Sequence, residues 1–355
     1  MKVDLGSKYL EIKNNWRRLV FTLTVGLVGC LIAVYLNFPL PWLLGALFTT
    51  TIAALMGHNL WMPAWLRIIS HLVLGALFGT SVSPDFLSNV SKWIPSIIAV
   101  ITYVVLVMPP VMLYLIKVMK VDIITAYFSA APGGLIPMTS IGQSMGADAK
   151  IISLVQSSRI IMTVLIVPFA FAIYGGYEPS GNVGSGGSFA TLSPLDGLAL
   201  LGIAICGCLL ARPLKIPNPE LMGPMIAISV FTMTGVFSAE VPESLVAIAQ
   251  WIIGSSIGVM FNNVKPRLVT GTLFHGSLVS AFMISFAAGV ALITHQITSI
   301  PTNGLILAFA PGGFTEMALV GFALGIDIAF LVTHQLTRYF FVILMLPIIY
   351  KKLKI

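Results

Sequence analysis

Long apolar runs separated by short polar breaks organise this chain, and the runs have helical rather than strand length. Leu19–Leu36, Ile94–Ile116, Leu195–Leu210 and Leu268–Ile293 carry almost no charge, and each lies near the ~20 residues that a helix needs to cross a bilayer. Lone strands would leave backbone groups unpaired in hydrocarbon. The expected fold class is therefore an all-α polytopic membrane protein.

The polar residues that interrupt these runs repeat. Ala131-Pro132-Gly133-Gly134 returns as Ala310-Pro311-Gly312-Gly313, 179 positions later. In the same register Met138, Gly142, Gly146, Asp148, Gln156, Arg159 and Pro168 return as Met317, Gly321, Gly325, Asp327, Gln335, Arg338 and Pro347. A hydrophobic alphabet repeats Leu and Val by accident, but not Gly, Pro, Asp, Gln and Arg. Upstream, Pro41–Gly45 is echoed by Pro219–Gly223, and Leu74–Gly79 by Ile253–Gly258. The chain is a duplication. Its expected organisation is a transmembrane repeat over 1–175, a Gly/Ser-rich external linker over 176–194 and a second transmembrane repeat over 195–355.

Composition agrees with this picture. Charged residues make up 9% of the chain and mean hydropathy is +1.00, whereas soluble domains carry about 25% charged residues. The first apolar run follows Arg17-Arg18, but it is too long for a signal-peptide core and lacks an A-x-A cleavage site, so it reads as a retained span. Cys30, Cys206 and Cys208 all sit in apolar runs and suggest neither a disulfide nor a ligand set.

Charge placement then discriminates between topologies. Of the 19 Lys and Arg, 17 lie outside the apolar interior once Arg159 and Arg338 are set aside. If every apolar segment crosses, the copies are parallel six-span units and eleven of the 17 fall on the N-terminal side. If instead segments 121–147 and 300–325 enter the membrane and turn back, five crossings remain per copy. Sixteen of the 17 then share one side, with Lys92 alone opposite. The positive-inside bias selects the second arrangement. It predicts two inverted-topology repeats of about five helices, each with an interrupted or re-entrant PGG segment and with both termini cytoplasmic. The net charge of +7 thus reports membrane orientation and implies no nucleic-acid partner.

The PGG breaks are the candidate site. Proline removes a backbone donor and two glycines widen backbone freedom, so Pro132, Gly133 and Gly134, and likewise Pro311, Gly312 and Gly313, should unwind. Unwound backbone at membrane depth survives where it is buried in protein or lines a cavity. Paired broken helices of this kind build binding sites in inverted-repeat transporters, although a single such motif would be only a packing kink. Arg159 and Arg338 fall about ten residues into the last span of each copy, with Gln156 and Gln335 three residues earlier on the same helix face. An intramembrane arginine must meet protein, water or ligand. These two either hold an anion by their planar forks or cap half-helix carbonyls and hold the break in shape. Glu316 is the sole acid well inside a break segment, opposite neutral Pro137, and is a candidate carrier of a coupling proton or a partner for an arginine.

Other signals have quieter readings. The pairs Gly75/Gly79, Gly142/Gly146, Gly254/Gly258 and Gly321/Gly325 suggest close helix packing, and Asp148 and Asp327 suggest helix N-caps. The histidines at 58, 71, 275, 295 and 334 have no metal-ligand spacing. His334, one turn before Arg338, either titrates or packs as a hydrogen-bonded residue.

The paired APGGxxxM segments, the Q-x-x-R after each, and the P-x-L-L/M-G and GxxxG elements resemble the AbrB-type bacterial membrane proteins, a duplicated family. Its members also carry the labels ammonia monooxygenase and AbrB family regulator. The resemblance spans essentially the whole chain and implies a bacterial inner-membrane location. A copper monooxygenase needs a His-rich ligand set, and a DNA-binding regulator needs a basic soluble face; neither is visible. Five-plus-five inverted repeats also look like the cation/proton antiporter and anion transporter superfamily, by architecture alone.

The expected function is an ion-coupled secondary transporter or exporter of a small organic anion, with no catalytic residue, metal or cofactor. Its expected partners are the lipid bilayer, the anionic solute, a coupling proton or Na+, and a second copy of the chain. The alternatives are a membrane component acting indirectly on gene expression and a membrane-embedded enzyme.

Overall fold

The computed structural model describes residues 5–82, 86–174, 192–214, 216–235, 239–262 and 266–353; the proposed linker falls mainly outside the described residues. The described part is all-helical. The first copy contributes α1 (Leu5–Tyr35), α2 (Pro41–Leu55), α3 (Ala64–Thr80), the short α4 (Phe86–Val90), α5 (Ile94–Lys117), α6 (Ile123–Ala130), α7 (Leu135–Ser144) and α8 (Ala149–Tyr174). The second contributes α9 (Pro194–Ala211), α10 (Pro219–Met233), α11 (Glu243–Val259), α12 (Pro266–Thr298), α13 (Thr302–Phe309), α14 (Phe314–Ala323) and α15 (Ile328–Leu353).

The sequence repeat has counterparts in helix lengths and turns. Helices α2 and α10 both have 15 residues, α3 and α11 both have 17, and α8 and α15 both have 26. Left-handed residues recur in register: Leu40 with Asn218, Gly57 with Gly235, Lys120 with Ser299, and Gly146 with Gly325. Each of α2 and α10 starts with proline just after its left-handed residue, where the missing N–H costs nothing. At the far end of α2, Gly57 N–H donates to Ala54 O at 3.0 Å and His58 N–H to Ala53 O at 3.1 Å, a Schellman closure. These signals cut α2 and α10 to about 22 Å. Among the described residues six helices (α1, α5, α8, α9, α12 and α15) are long and apolar enough to cross a membrane, which makes the chain a multi-pass membrane protein. The other four spans read from sequence, α2, α3, α10 and α11, are shorter apolar helices.

Two compact units divide the chain, and they cut across the repeats. One holds residues 1–84 and 176–264, the other 85–175 and 265–355. The repeats are units of sequence, whereas each packing unit takes half of each copy.

In the first unit α2 packs on α1 and α11, and α10 packs reciprocally on α9 and α3. Glycines set the spacing. A Cβ on Gly29 would collide with the Gly45 carbonyl, and one on Gly207 with the Gly223 carbonyl. Between copies, Gly75 lies against the Leu221 carbonyl and Gly254 against the Leu43 carbonyl. In lipid there is little hydrophobic gain from helix association, so close backbone approach at small residues supplies the contact. Asn262, just past α11, grips the chain at Leu60: its Oδ1 accepts from Leu60 N–H at 3.3 Å and its amide donates to Leu60 O.

In the second unit α5 packs against α15 and α12 against α8, again reciprocally. Tyr103 and Tyr127 hydroxyls donate to the Met283 and Leu346 carbonyls at 3.2 and 2.9 Å. Both partners lie in the other copy.

Candidate functional site

The second unit contains both PGG segments, and in each the helix stops and restarts. Helix α6 begins at Asp122, whose carboxylate accepts from Thr125 N–H at 2.9 Å, and ends at Ala130. Ala131 is extended (φ −72, ψ 126), and α7 starts after Gly134. Helix α13 ends likewise at an extended Ala310 (φ −52, ψ 130), with α14 starting after Gly313. Each first half-helix is therefore only eight residues long, about 12 Å.

A helix that stops leaves its last carbonyls without intrahelical donors. Here the final helix of the same copy supplies them. Gln156 Nε2 donates to Phe128 O at 3.1 Å and to Ala131 O at 2.9 Å, and Arg159 Nη1 also donates to Ala131 O at 2.9 Å. In the second copy Gln335 Nε2 reaches Leu307 O at 3.5 Å, while Arg338 Nη1 donates to Phe309 O at 3.1 Å and Ala310 O at 2.5 Å. All four side chains are buried, with exposures of 0, 3, 3 and 4% for Gln156, Arg159, Gln335 and Arg338. The carbonyl end of a helix carries partial negative charge, so a guanidinium placed there is favourable as well as hydrogen-bonded. The structure thus brings every sequence-predicted Gln and Arg to its own PGG break, and Nη1 of each arginine serves as a backbone clamp.

The clamps leave hydrogen-bonding capacity over. Gln156 Oε1, Gln335 Oε1, Arg159 Nε and the hydroxyls of Ser129 and Ser158 are buried with no partner among the described residues. Such groups are costly unless something meets them. They lie on α6, α8 and α15, with Ser158 Oγ facing Gly276 of α12.

The methionine of each motif has a role that sequence did not disclose. Met138 and Met317 are fully buried, and their thioethers press on Gly133 and Gly312. A side chain at the middle glycine would displace them. Glu316, in the first turn of α14, is 9% exposed and its carboxylate lies over Gly313. It has no arginine within ion-pair distance; among the described residues the ion pair is Arg212–Glu220 at 3.9 Å.

The remaining expectations distribute simply. Asp148 Oδ1 accepts from Lys150 N–H at 2.8 Å and Asp327 Oδ1 from Ala329 N–H at 2.9 Å, both as helix N-caps. Gly142 and Gly321 pack against Ile152 and Leu331. Gly146 and Gly325, read as their packing partners, instead end helices: Ala147 N–H returns to Gly142 O and Ile326 N–H to Gly321 O, both at 2.9 Å. Among the described residues no group of three His, Cys, Asp or Glu is placed to hold a metal.

The arrangement of repeat, break and clamp can be set beside known proteins. The family model described as transition state regulatory protein AbrB matches residues 42–354. This chain belongs to the AbrB family. Family membership agrees with the resemblance carried by the motifs. The "Uncharacterized protein YhjN" of Bacillus subtilis (strain 168) is 28% identical over 96% of this chain and 94% of its own length. The "Putative regulator AbrB" of Escherichia coli (strain K12) is 24% identical, covering 90% of each. This AbrB-family chain is thus similar to each of them over at least 90% of its length.

Proposed function

We propose that this chain is an ion-coupled secondary transporter of a small organic anion in the bacterial cytoplasmic membrane. The reading rests on one observation. Two broken helices, equivalent in the duplication, are each clamped by a buried Gln–Arg pair whose hydrogen-bonding capacity the protein does not exhaust. A carboxylate, phosphonate or sulfonate entering between them would meet the unpaired Nε–H of Arg159 in a buried environment, where charge-assisted hydrogen bonds are strongest. Glu316 adds a single acid to one break. The charge count supports five crossings and one interrupted segment per copy, with the copies inverted and both termini inside. The reciprocal packing of equivalent helices suits a two-fold relation of that kind. The regulator in a relative's name is compatible with an indirect effect: a transporter that controls a metabolite alters gene expression without touching DNA.

The test is ligand-induced stabilisation of purified protein across a panel of organic acids, phosphonates and sulfonates. A ligand that binds only the folded state at about a hundred times its Kd adds about 2.7 kcal/mol. Arg159→Lys and Arg338→Lys should fold, because Lys can still donate to the break carbonyls. They should lose most of the stabilisation, because Lys lacks the planar fork. Undiminished stabilisation in both variants would remove the arginines from the site, and no stabilisation by any anion would remove the substrate class. The inverted arrangement has its own check: Lys150→Cys should react with impermeant thiol reagents from the cytoplasmic side and Asp327→Cys from the outside. Reaction of both from one side would restore parallel copies.

A further inference from the structure

His334 on α15 is fully buried and lies in a chain of three short links. Its Nδ1 is 2.8 Å from Phe330 O, its Nε2 is 2.8 Å from Ser96 Oγ, and Ser96 Oγ is 2.8 Å from Trp93 O. Both ends of the chain are carbonyl oxygens, which can only accept. At 2.8 Å two acceptors do not sit together without a hydrogen between them, so the Phe330 link takes the hydrogen on Nδ1 and the Trp93 link that of the serine hydroxyl. The middle link then needs a hydrogen on Nε2. That makes three hydrogens, which an imidazolium and a serine supply together; a neutral imidazole and a serine hold only two. Ser96 is also fully buried, so water cannot cheaply complete the link.

The walls suit a cation as well. The Phe330 ring centroid lies 4.1 Å from that of His334, within the reach at which an aromatic ring attracts positive charge, while Phe309 and Trp93 lie further out at 6.4 and 6.5 Å. The charged and titratable groups on the neighbouring elements are few. Tyr103 is two turns along α5 from Ser96 and donates to Met283 O; Lys92 bonds to Asn89; Glu316 lies over Gly313 in α14; α7 and α13 carry none. Arg338 is one turn further along α15 and bonds to the second break. None of them hydrogen-bonds to the imidazole among the described residues.

Phe309 connects this chain to the site. Its ring packs on His334 while its carbonyl accepts from Arg338. The arrangement occurs once, because the positions equivalent to Ser96 and His334 are His275 and Val155. We propose that the His334–Ser96 chain is a proton-binding site within the membrane, and that its proton is the one coupled to the anion. The coupling half rests on the transporter reading above; the proton site does not.

Nuclear magnetic resonance of protein with 15N-labelled histidine in lipid nanodiscs reads the imidazole directly. The signal that disappears in His334→Gln should be that of an imidazolium at low pH and should convert to the neutral form as pH rises. Ser96→Ala removes the acceptor for Nε2–H and should move that midpoint down by about one pH unit, while Ser96→Thr should restore it. A His334 that stays neutral and in one tautomer throughout, or a midpoint indifferent to Ser96→Ala, overturns the site whether or not an anion binds. Anion stabilisation should grow as pH falls through the midpoint and lose that dependence in His334→Gln. The same stabilisation at every pH overturns the coupling. Intact titration with no stabilising anion overturns the transporter reading, and the coupling with it, while upholding the proton site.

Discussion

In the first copy the chain leaves its Pro-Gly-Gly through Gly134 at φ 90, ψ 149, whereas in the second it leaves through Gly313 at φ −71, ψ 147. The first conformation is essentially restricted to glycine; the second is ordinary extended backbone that any residue adopts. Yet Gly313 is not free to change. A Cβ there would fall on the Glu316 carboxylate, while at Gly134 it would meet only ordinary contacts with Tyr339 and Pro137. The same glycine is therefore required in one copy by its dihedral angles and in the other by a neighbouring acid. Identity of residue across a duplication does not carry identity of role. The carbonyl clamps differ in the same spirit: Gln156 holds two carbonyls and Arg159 one, while Arg338 holds two and Gln335 one at 3.5 Å.

The sharpest way to break this comparison is at the glycines. Gly134→Ala should cost about 1–3 kcal/mol, the range for a residue forced into a sparsely populated conformation. No substitution at Pro137 should rescue it. Gly313→Ala should cost less, and in a Glu316→Ala background it should be nearly silent. Unfolding of detergent-solubilised protein measures both; a silent Gly134→Ala, or a Gly313→Ala that Glu316→Ala does not relieve, would show that the two exits are alike.

A smaller difference is expected at the glutamines. Gln156→Leu removes donors from two buried carbonyls and should cost roughly 1–3 kcal/mol, whereas Gln335→Leu removes one long bond and should cost under about 1 kcal/mol. Equal losses in the same unfolding assay would mean that both clamps bear equal weight.

Much of this was visible in the residues alone. Pro132 and Pro311 mark where the helices stop, because proline and glycine act locally. The placement of Gln156 and Arg159 on one face follows from helical periodicity. The acceptors of those side chains, at Phe128 and Ala131, were not legible, since a carbonyl leaves no trace in the sequence. Nor was the pairing of Ser96 with His334, 238 positions apart. Above all, the partner of each helix was hidden: a lipid-facing leucine and a protein-facing one look alike, so the apolar stripe that orients a soluble helix is missing. Gly75 and Gly254 were the surviving clue, and they pointed to close packing without saying that each would meet the other copy. The short α2 and α10 were legible in principle, in Pro41 and Gly57 and in Pro219 and Gly235.

The interleaving of the copies has a consequence for how the molecule is made. Helix α2 packs on α11, which begins 188 residues after α2 ends. At ~5–20 residues per second of synthesis that delay is roughly 10–40 s. Throughout it, Gly45 is already covered by α1, but the stretch around Leu43 that receives Gly254 is open to the bilayer. A nascent first copy is two unfinished halves rather than one finished domain. Its natural error is to borrow the missing halves from a neighbouring chain, an exchange in which the contacts between copies form between the wrong molecules.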